Sequence, residues 1–235
     1  MGNSWFQFQQ FRIHQDRCAM KISTDAVLLG ALAKADSPQN ILDIGTGTGV
    51  ISLMLAQRFP DSLITAIEID PDAAGQAEEN FQESPFSERL RIIQGKFQDY
   101  PEDQHFDLIV SNPPYFPDHL KPKDSKRNQA LHTDALSFEE LIEQATRLLK
   151  TNGQIWIILP PRQMEDFSAL ALKRGLFPIH RILVRDRPFK PIIREIVGFS
   201  QKSGALEPNE IFLKNENGDF SEAYSFLISG FLLGY

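Results

Sequence analysis

The chain has 235 residues, 42% apolar and 23% charged, a globular balance for one large domain or two small ones that excludes a disordered or collagen-like polymer. A single cysteine, Cys18, excludes an internal disulfide framework and a multi-cysteine zinc site. The net charge of −7 argues against nonspecific coating of nucleic acid, yet residues 111–200 carry 14 basic against 10 acidic side chains and leave room for a local positive face.

In chain order, the alternating aromatic stretch FQFQQFRIH comes first, then a candidate helix from Asp25 to Ala35. Strand-like Asn40–Ile44 leads to a helix over Val50–Arg58, then strand-like Leu63–Ile69 and a helix from Pro71 to Asn80. Proline suits a helix's first turn, because its missing N–H would have no partner there. Strands at Leu90–Gln94 and Phe106–Val110 follow. Ser137 with Glu140 three residues on reads as a capping box for a helix through Leu149. Gly153 ends the link to a strand at Gln154–Leu159, and a helix spans Gln163–Arg174. Ile179–Arg185 and Ile192–Phe199, joined by a loop alone, suggest an antiparallel hairpin at one sheet edge. A strand, IFLK, and a helix near Ser221–Leu232 close the chain. Alternating strands and helices predict an α/β, doubly wound, mostly parallel sheet of seven strands. We expect one domain over 1–235: an N-terminal extension (1–39), the core (40–200), and an added strand and helix (201–235).

Ile41–Val50 reads ILDIGTGTGV, placing Asp43, Gly45, Thr46, Gly47 and Gly49 between a strand and a helix. Glycines let the backbone turn tightly and approach a ligand closely. Glu68 lies at the end of the next strand, where a carboxylate can bond ribose hydroxyls, with Asp70 as its rival. Pyrophosphate loops favour G-x-G-x-x-G. Here an acid precedes the first glycine, which disfavours a pyrophosphate and suits a cationic, amino-acid-bearing ligand such as S-adenosylmethionine.

After the strand FDLIV comes Asn112-Pro113-Pro114-Tyr115. Two prolines fix their own φ, and the first holds Asn112 extended. The stiff corner can present the Asn112 side-chain oxygen and the Pro113 carbonyl to a planar –NH2. Tyr115 can stack on the ring that carries it, a contact worth roughly 1–3 kcal/mol per base.

These two motifs resemble a class I S-adenosylmethionine-dependent methyltransferase of the amino-methylating group, with its Rossmann-like sheet. More narrowly, FRIHQDRCAMKISTDAVLLGALA, NQALHTDALSFEELIEQATRLL and NGDFSEAYSFLISGFLLGY are similar to segments of the bacterial tRNA1(Val) (adenine-N6)-methyltransferase family. That family modifies the adenine just 3′ of the anticodon in one valine tRNA. The resemblance implies cofactor contacts at Asp43, Gly45, Thr46, Gly47, Gly49, Glu68 and Ile69, with Lys21 and Thr24 near the methionine end. It implies Asn112, Pro113, Pro114 and Tyr115 as the catalytic corner and tRNA as the partner. Where many relatives place an Asp after the third strand, this chain has Gly95-Lys96-Phe97; Phe97 can flank the cofactor's adenine, and Asp99 is a substitute acid.

Lys121, Lys123, Lys126 and Arg127 follow the corner and read equally as phosphate binders or a solvated loop. Arg181, Arg185, Arg187, Lys190 and Arg194 read first as solvated surface. The histidines at 14, 105, 119, 132 and 180 lack ligand spacing, so no metal site is expected, and nothing around Cys18 suggests a nucleophile. No apolar run nears 18 residues and the opening MGNSWFQFQQFR lacks a signal core, so a cytoplasmic protein off the membrane, plausibly monomeric, is expected. Alternatives are N-methylation of another planar amine (a release-factor glutamine, rRNA guanine or DNA adenine) and a noncatalytic RNA-binding protein.

Overall fold

The computed structural model describes residues 3–114, 136–206 and 208–234. In chain order its strands are β1 (Trp5–Gln7), β2 (Arg12–His14), β3 (Asn40–Ile44), β4 (Leu63–Glu68), β5 (Leu90–Gln94), β6 (Phe106–Ser111), β7 (Leu149–Leu159), β8 (Phe177–Arg185), β9 (Ile192–Ser200) and β10 (Pro208–Phe212). The helices are α1 (Thr24–Leu32), α2 (Val50–Arg58), α3 (Pro71–Gln82), α4 (Phe138–Leu148), α5 (Pro161–Lys173) and α6 (Glu222–Ile228).

β1 and β2 form a small antiparallel pair; the others form one sheet in the order β10-β8-β9-β7-β6-β3-β4-β5. From β5 to β7 all pairings are parallel. β9 runs against β7 and β8 against β9, so β8 again points the way β7 does. The sheet therefore has eight strands, one more than the seven-stranded core expected from the sequence. The β8–β9 hairpin is also not the edge. β10 pairs in parallel with β8 and covers it, because Pro208–Phe212 returns along the hairpin and its N–H and C=O groups find partners there.

Side-chain alternation divides the core between the two faces. Trp156 and Ile158 of β7 join the apolar cluster under α1 and α2, while Ile155, Ile157 and Leu159 join the one under α4 and α5. β7 begins earlier than the sequence suggests, at Leu149, and Gly153 lies within it instead of ending the link. A Cβ at Gly153 would sit 2.7 Å from Leu149 Cδ1 and 2.9 Å from the Phe106 carbonyl, so glycine permits this irregular pairing with β6. Local capping sets the helix starts. Asp70 accepts from the Ala73 N–H at 2.8 Å ahead of Pro71, and Ser137 and Glu140 close the expected capping box. Among the described residues no helix is long and apolar enough to cross a membrane.

Candidate active site

β3, β4, β5 and β6 all end at one rim of the sheet, and their loops enclose a crevice of about 270 Å³. Such a rim is where open α/β sheets bind ligands. The floor is the glycine loop after β3. Both Gly45 and Thr46 donate backbone N–H groups to the Ile67 carbonyl, at 2.9 and 3.2 Å, which leans the loop onto β4. Gly45, Gly47 and Gly49 have φ of +70°, +56° and +82°, a region costly to residues with a Cβ.

The three glycines have different roles. A Cβ on Gly45 or Gly47 would meet nothing within 4 Å, because both border the open crevice. A Cβ on Gly49 would lie 2.5 Å from Phe81 Cε1, so Gly49 serves the packing of α2 on α3. It does not line the crevice.

Asp43 lies fully buried beneath the loop. Its Oδ2 accepts from the Thr46 hydroxyl at 2.6 Å and the Ser52 hydroxyl at 2.7 Å, while Oδ1 has no partner among the described residues. Burial pushes its carboxyl up to about 6, against the opposing pull of the two hydroxyls. Asp43 and Thr46 thus support the loop from below and do not line the crevice.

Glu68 does line it, held by the Gly47 N–H on Oε2 at 2.8 Å and the Asp70 N–H on Oε1 at 3.1 Å. Those bonds leave lone pairs on both oxygens for a ligand's hydroxyls. Its rival Asp70 also borders the crevice, but one carboxylate oxygen is engaged in capping α3. Ile69, exposed beside them, completes this wall.

The loop after β5 contributes Gly95, Phe97 and Gln98. The Gly95 N–H donates to the Glu68 carbonyl at 2.8 Å, and a 3-10 turn over Phe97–Asp99 follows. Phe97 is buried at the crevice. Asp99 is exposed and outside the lining, and Gln98, missed in the sequence reading, borders the crevice instead. The signal was present: in a turn opened by Phe97, the next side chain is an amide able both to donate and to accept.

The corner after β6 closes the opposite side. Ser111 Oγ donates to the Ile44 carbonyl at 2.9 Å, tying the end of β6 to the start of the glycine loop. Asn112, Pro113 and Pro114 all line the crevice. Tyr115 and the basic residues Lys121, Lys123, Lys126 and Arg127 lie outside the described residues.

The N-terminal segment forms a further wall, but with Cys18, Ala19 and Met20 in place of the Lys21 and Thr24 that the resemblance implied. Buried Asn80 of α3 donates from Nδ2 to the His14 and Thr48 carbonyls and accepts the His14 N–H on Oδ1, at 2.7–2.9 Å. Gln76 Oε1 accepts the Arg17 N–H at 2.9 Å. These amides deliver Cys18, Ala19 and Met20 to the crevice. Burial, then the Glu68 and Asp70 charges, push the Cys18 thiol up to about 11, so it stays protonated at neutral pH. Lys21 and Thr24 are exposed just outside the lining, with Lys21 Nζ donating to the Asn3 carbonyl at 3.2 Å.

A family model described as "Methyltransferase small domain" matches residues 21–190. The chain is 42% identical to a protein of Pedobacter heparinus named tRNA1(Val) (adenine(37)-N6)-methyltransferase, covering 98% of both chains. It is 39% identical to one of the same name from Yersinia enterocolitica, over 98% of this chain and 93% of that one. In fold it is similar to a protein from Agrobacterium tumefaciens described as a predicted O-methyltransferase, with a TM-score of 0.68 at 21% identity, covering 88% of this chain and 96% of that one. The chain belongs to the methyltransferase small domain family and, within it, to the family of the tRNA1(Val) (adenine(37)-N6)-methyltransferases.

Proposed function

We propose that this methyltransferase moves a methyl group from S-adenosylmethionine to N6 of the adenine 3′ of the anticodon in a valine tRNA, and that residues 1–235 act as one catalytic domain. The observation that carries the reading is the proline-locked corner opening into the glycine crevice, tied to its floor by the Ser111–Ile44 bond. The tRNA and the position on it come from what the homologous proteins are named for.

The crevice suits that cofactor chemically. The buried Asp43 carboxylate beneath the loop, outside the lining, favours a cationic group through its charge, and Gly45 and Gly47 leave open space where a Cβ would stand. Glu68 would hold the ribose hydroxyls, Phe97 would lie against the adenine, and Ile69 would complete that wall. Thr46 and Gly49 act by shaping the loop, and Lys21 and Thr24 would approach the methionine end. S-adenosylmethionine supplies an electrophilic methyl group on a sulfonium.

On the substrate side, Asn112 Oδ1 and the Pro113 carbonyl accept the two N–H bonds of the exocyclic amine and aim its nitrogen into the crevice. Pro114 stiffens the corner, and Tyr115 stacks on the extruded base. Removing that base from its stack costs a few kcal/mol, less in a loop than in a duplex. Placing amine and methyl donor side by side contributes about 7–11 kcal/mol toward the barrier. Lys121, Lys123, Lys126 and Arg127 would hold neighbouring phosphates.

The test is label transfer from methyl-labelled S-adenosylmethionine to tRNA from cells lacking the activity, with nucleoside mass spectrometry and fragment mapping. Label in N6-methyladenosine 3′ of the valine anticodon is expected. Label in guanine or in a release-factor glutamine would move the assignment to another planar amine.

A further inference from the structure

β8 and β6 point the same way, so the loop between β8 and β9 lies on the same rim as the Asn112 corner. Strand order sets its tip three positions away, about 14 Å at ordinary strand spacing. Phe189, at that tip, is 94% exposed and has φ of +65°, which a bulky side chain rarely tolerates.

The loop is nevertheless firmly held. The Lys190 N–H donates to the Arg187 carbonyl at 3.2 Å, and the Arg185 guanidinium bonds both the Lys190 carbonyl and, at 2.5 Å, Glu210. Just beyond β10, the Leu213 and Lys214 N–H groups donate to the Arg185 and Asp186 carbonyls at 2.9 and 2.8 Å. A fixed loop therefore holds an aromatic face wholly in solvent.

Charges of both signs surround that face: Glu216 and Asp219 stand in the turn that packs on Arg187, and the cations divide into paired and unpaired ones. Arg181, Arg194 and Arg185 are engaged by Glu195, Asp25 and Glu210. Arg187 pairs with Asp186, while Lys190 and Lys214 have no ion pair among the described residues. At the other end of the rim stand Glu68, Asp70 and Asp72. A flat aromatic among cations fits a nucleobase and its phosphates, since base stacking tolerates any sequence and cations follow the backbone.

We propose that the β8–β9 tip is a second RNA contact, where Phe189 stacks on an unpaired base about two to four nucleotides along the strand from the methylated one while Lys190 and Lys214 meet its phosphates. This rests on the tRNA reading above. The test measures binding of fluorescently labelled tRNA, the KM for tRNA, and the affinity for S-adenosylhomocysteine. Phe189→Gly removes the ring and relieves the positive φ, so its melting temperature should equal or exceed the parent's. Its tRNA affinity should fall about tenfold and its tRNA KM rise equally. Affinity for S-adenosylhomocysteine should not move. Phe189→Trp should restore binding, and Lys190→Ala should lower the salt dependence of binding by about one ion.

Unchanged tRNA affinity in Phe189→Gly overturns the proposal and leaves the tip to a protein partner, while methyl transfer by the parent still stands. If the parent transfers no label to RNA yet loses RNA affinity on Phe189→Gly, the tip stands and the transfer reading falls. A parent that binds no tRNA overturns both.

Discussion

The two halves of the sheet's rim are built on different principles. Along β3, β4 and β5, the site is made of main chain held in unusual conformations: glycines at positive φ, carbonyls accepting paired N–H groups, and a Glu68 clamped by two amides. Along β6, β7, β9 and β8, a stiff proline corner turns into the crevice and a bonded hairpin tip holds Phe189 out in solvent. The first half suits a ligand that is the same at every turnover, enclosed and read by fixed groups. The second suits a macromolecule that must arrive, open one base to the site and leave. Glu68 and Asp70 border the first half, whereas Arg187, Lys190 and Lys214 stand at the hairpin end of the second.

The sharpest way to separate the halves is Asn112→Ala. If the corner belongs to the substrate alone, turnover should fall at least about 1,000-fold through lost placement of the amine. Affinity for S-adenosylhomocysteine, by calorimetry, should change less than about twofold. A joint collapse of both would mean that the corner holds the cofactor too.

Next in size is a contrast within the cofactor half. Gly49→Ala drives a methyl group to 2.5 Å from Phe81 at a φ of +82°, so it should cost about 2–4 kcal/mol of stability, read from urea unfolding. Gly47→Ala puts its methyl group into open crevice, so it should cost about 1–2 kcal/mol from the positive φ. Its larger effect should be on cofactor affinity. Equal unfolding curves for the two variants would contradict the division of roles among the glycines.

That contrast also shows what local sequence can and cannot reveal. Spacing marked all three glycines, and β3, α2, β5 and α4 fall within a residue of expectation, because caps, glycines and apolar runs are local. Gly49 could not be assigned to packing, since Phe81 is 32 residues away and meets it only once α3 docks. That Cys18–Met20 form the N-terminal wall was hidden for the same reason: it depends on Asn80 and Gln76, polar residues whose partners lie on another element. The eighth strand was visible as IFLK, but its place beside β8 follows from tertiary pairing.

Asp43 offers a pH-dependent test of the same half. Its carboxyl is raised above the ordinary range by burial, so the free folded protein binds a proton there that the unfolded chain has released. Stability of the ligand-free protein should therefore fall as pH rises from about 4 to 6, the window between the unfolded and folded values. A cationic ligand reverses the preference. Affinity for S-adenosylhomocysteine should strengthen roughly tenfold between pH 5 and 7.5, about one pKa unit of coupling. In Asp43→Asn that dependence should flatten. A parent whose affinity is level across this range would show that the buried Asp43 charge does not act on the cofactor's ammonium.

The smallest expected effect separates two adjacent side chains after β5. Gln98 lines the crevice and Asp99 faces solvent, so Gln98→Ala should weaken S-adenosylhomocysteine about five- to tenfold, the worth of one or two neutral hydrogen bonds. Asp99→Ala should leave it unchanged. Gln98 carries both a donor and an acceptor, so it can meet an adenine edge that offers an amine beside a ring nitrogen. Gln98→Glu keeps the acceptor and loses the donor, and it should retain part of the affinity. Full affinity in Gln98→Ala would place adenine recognition on Phe97 and the main chain alone.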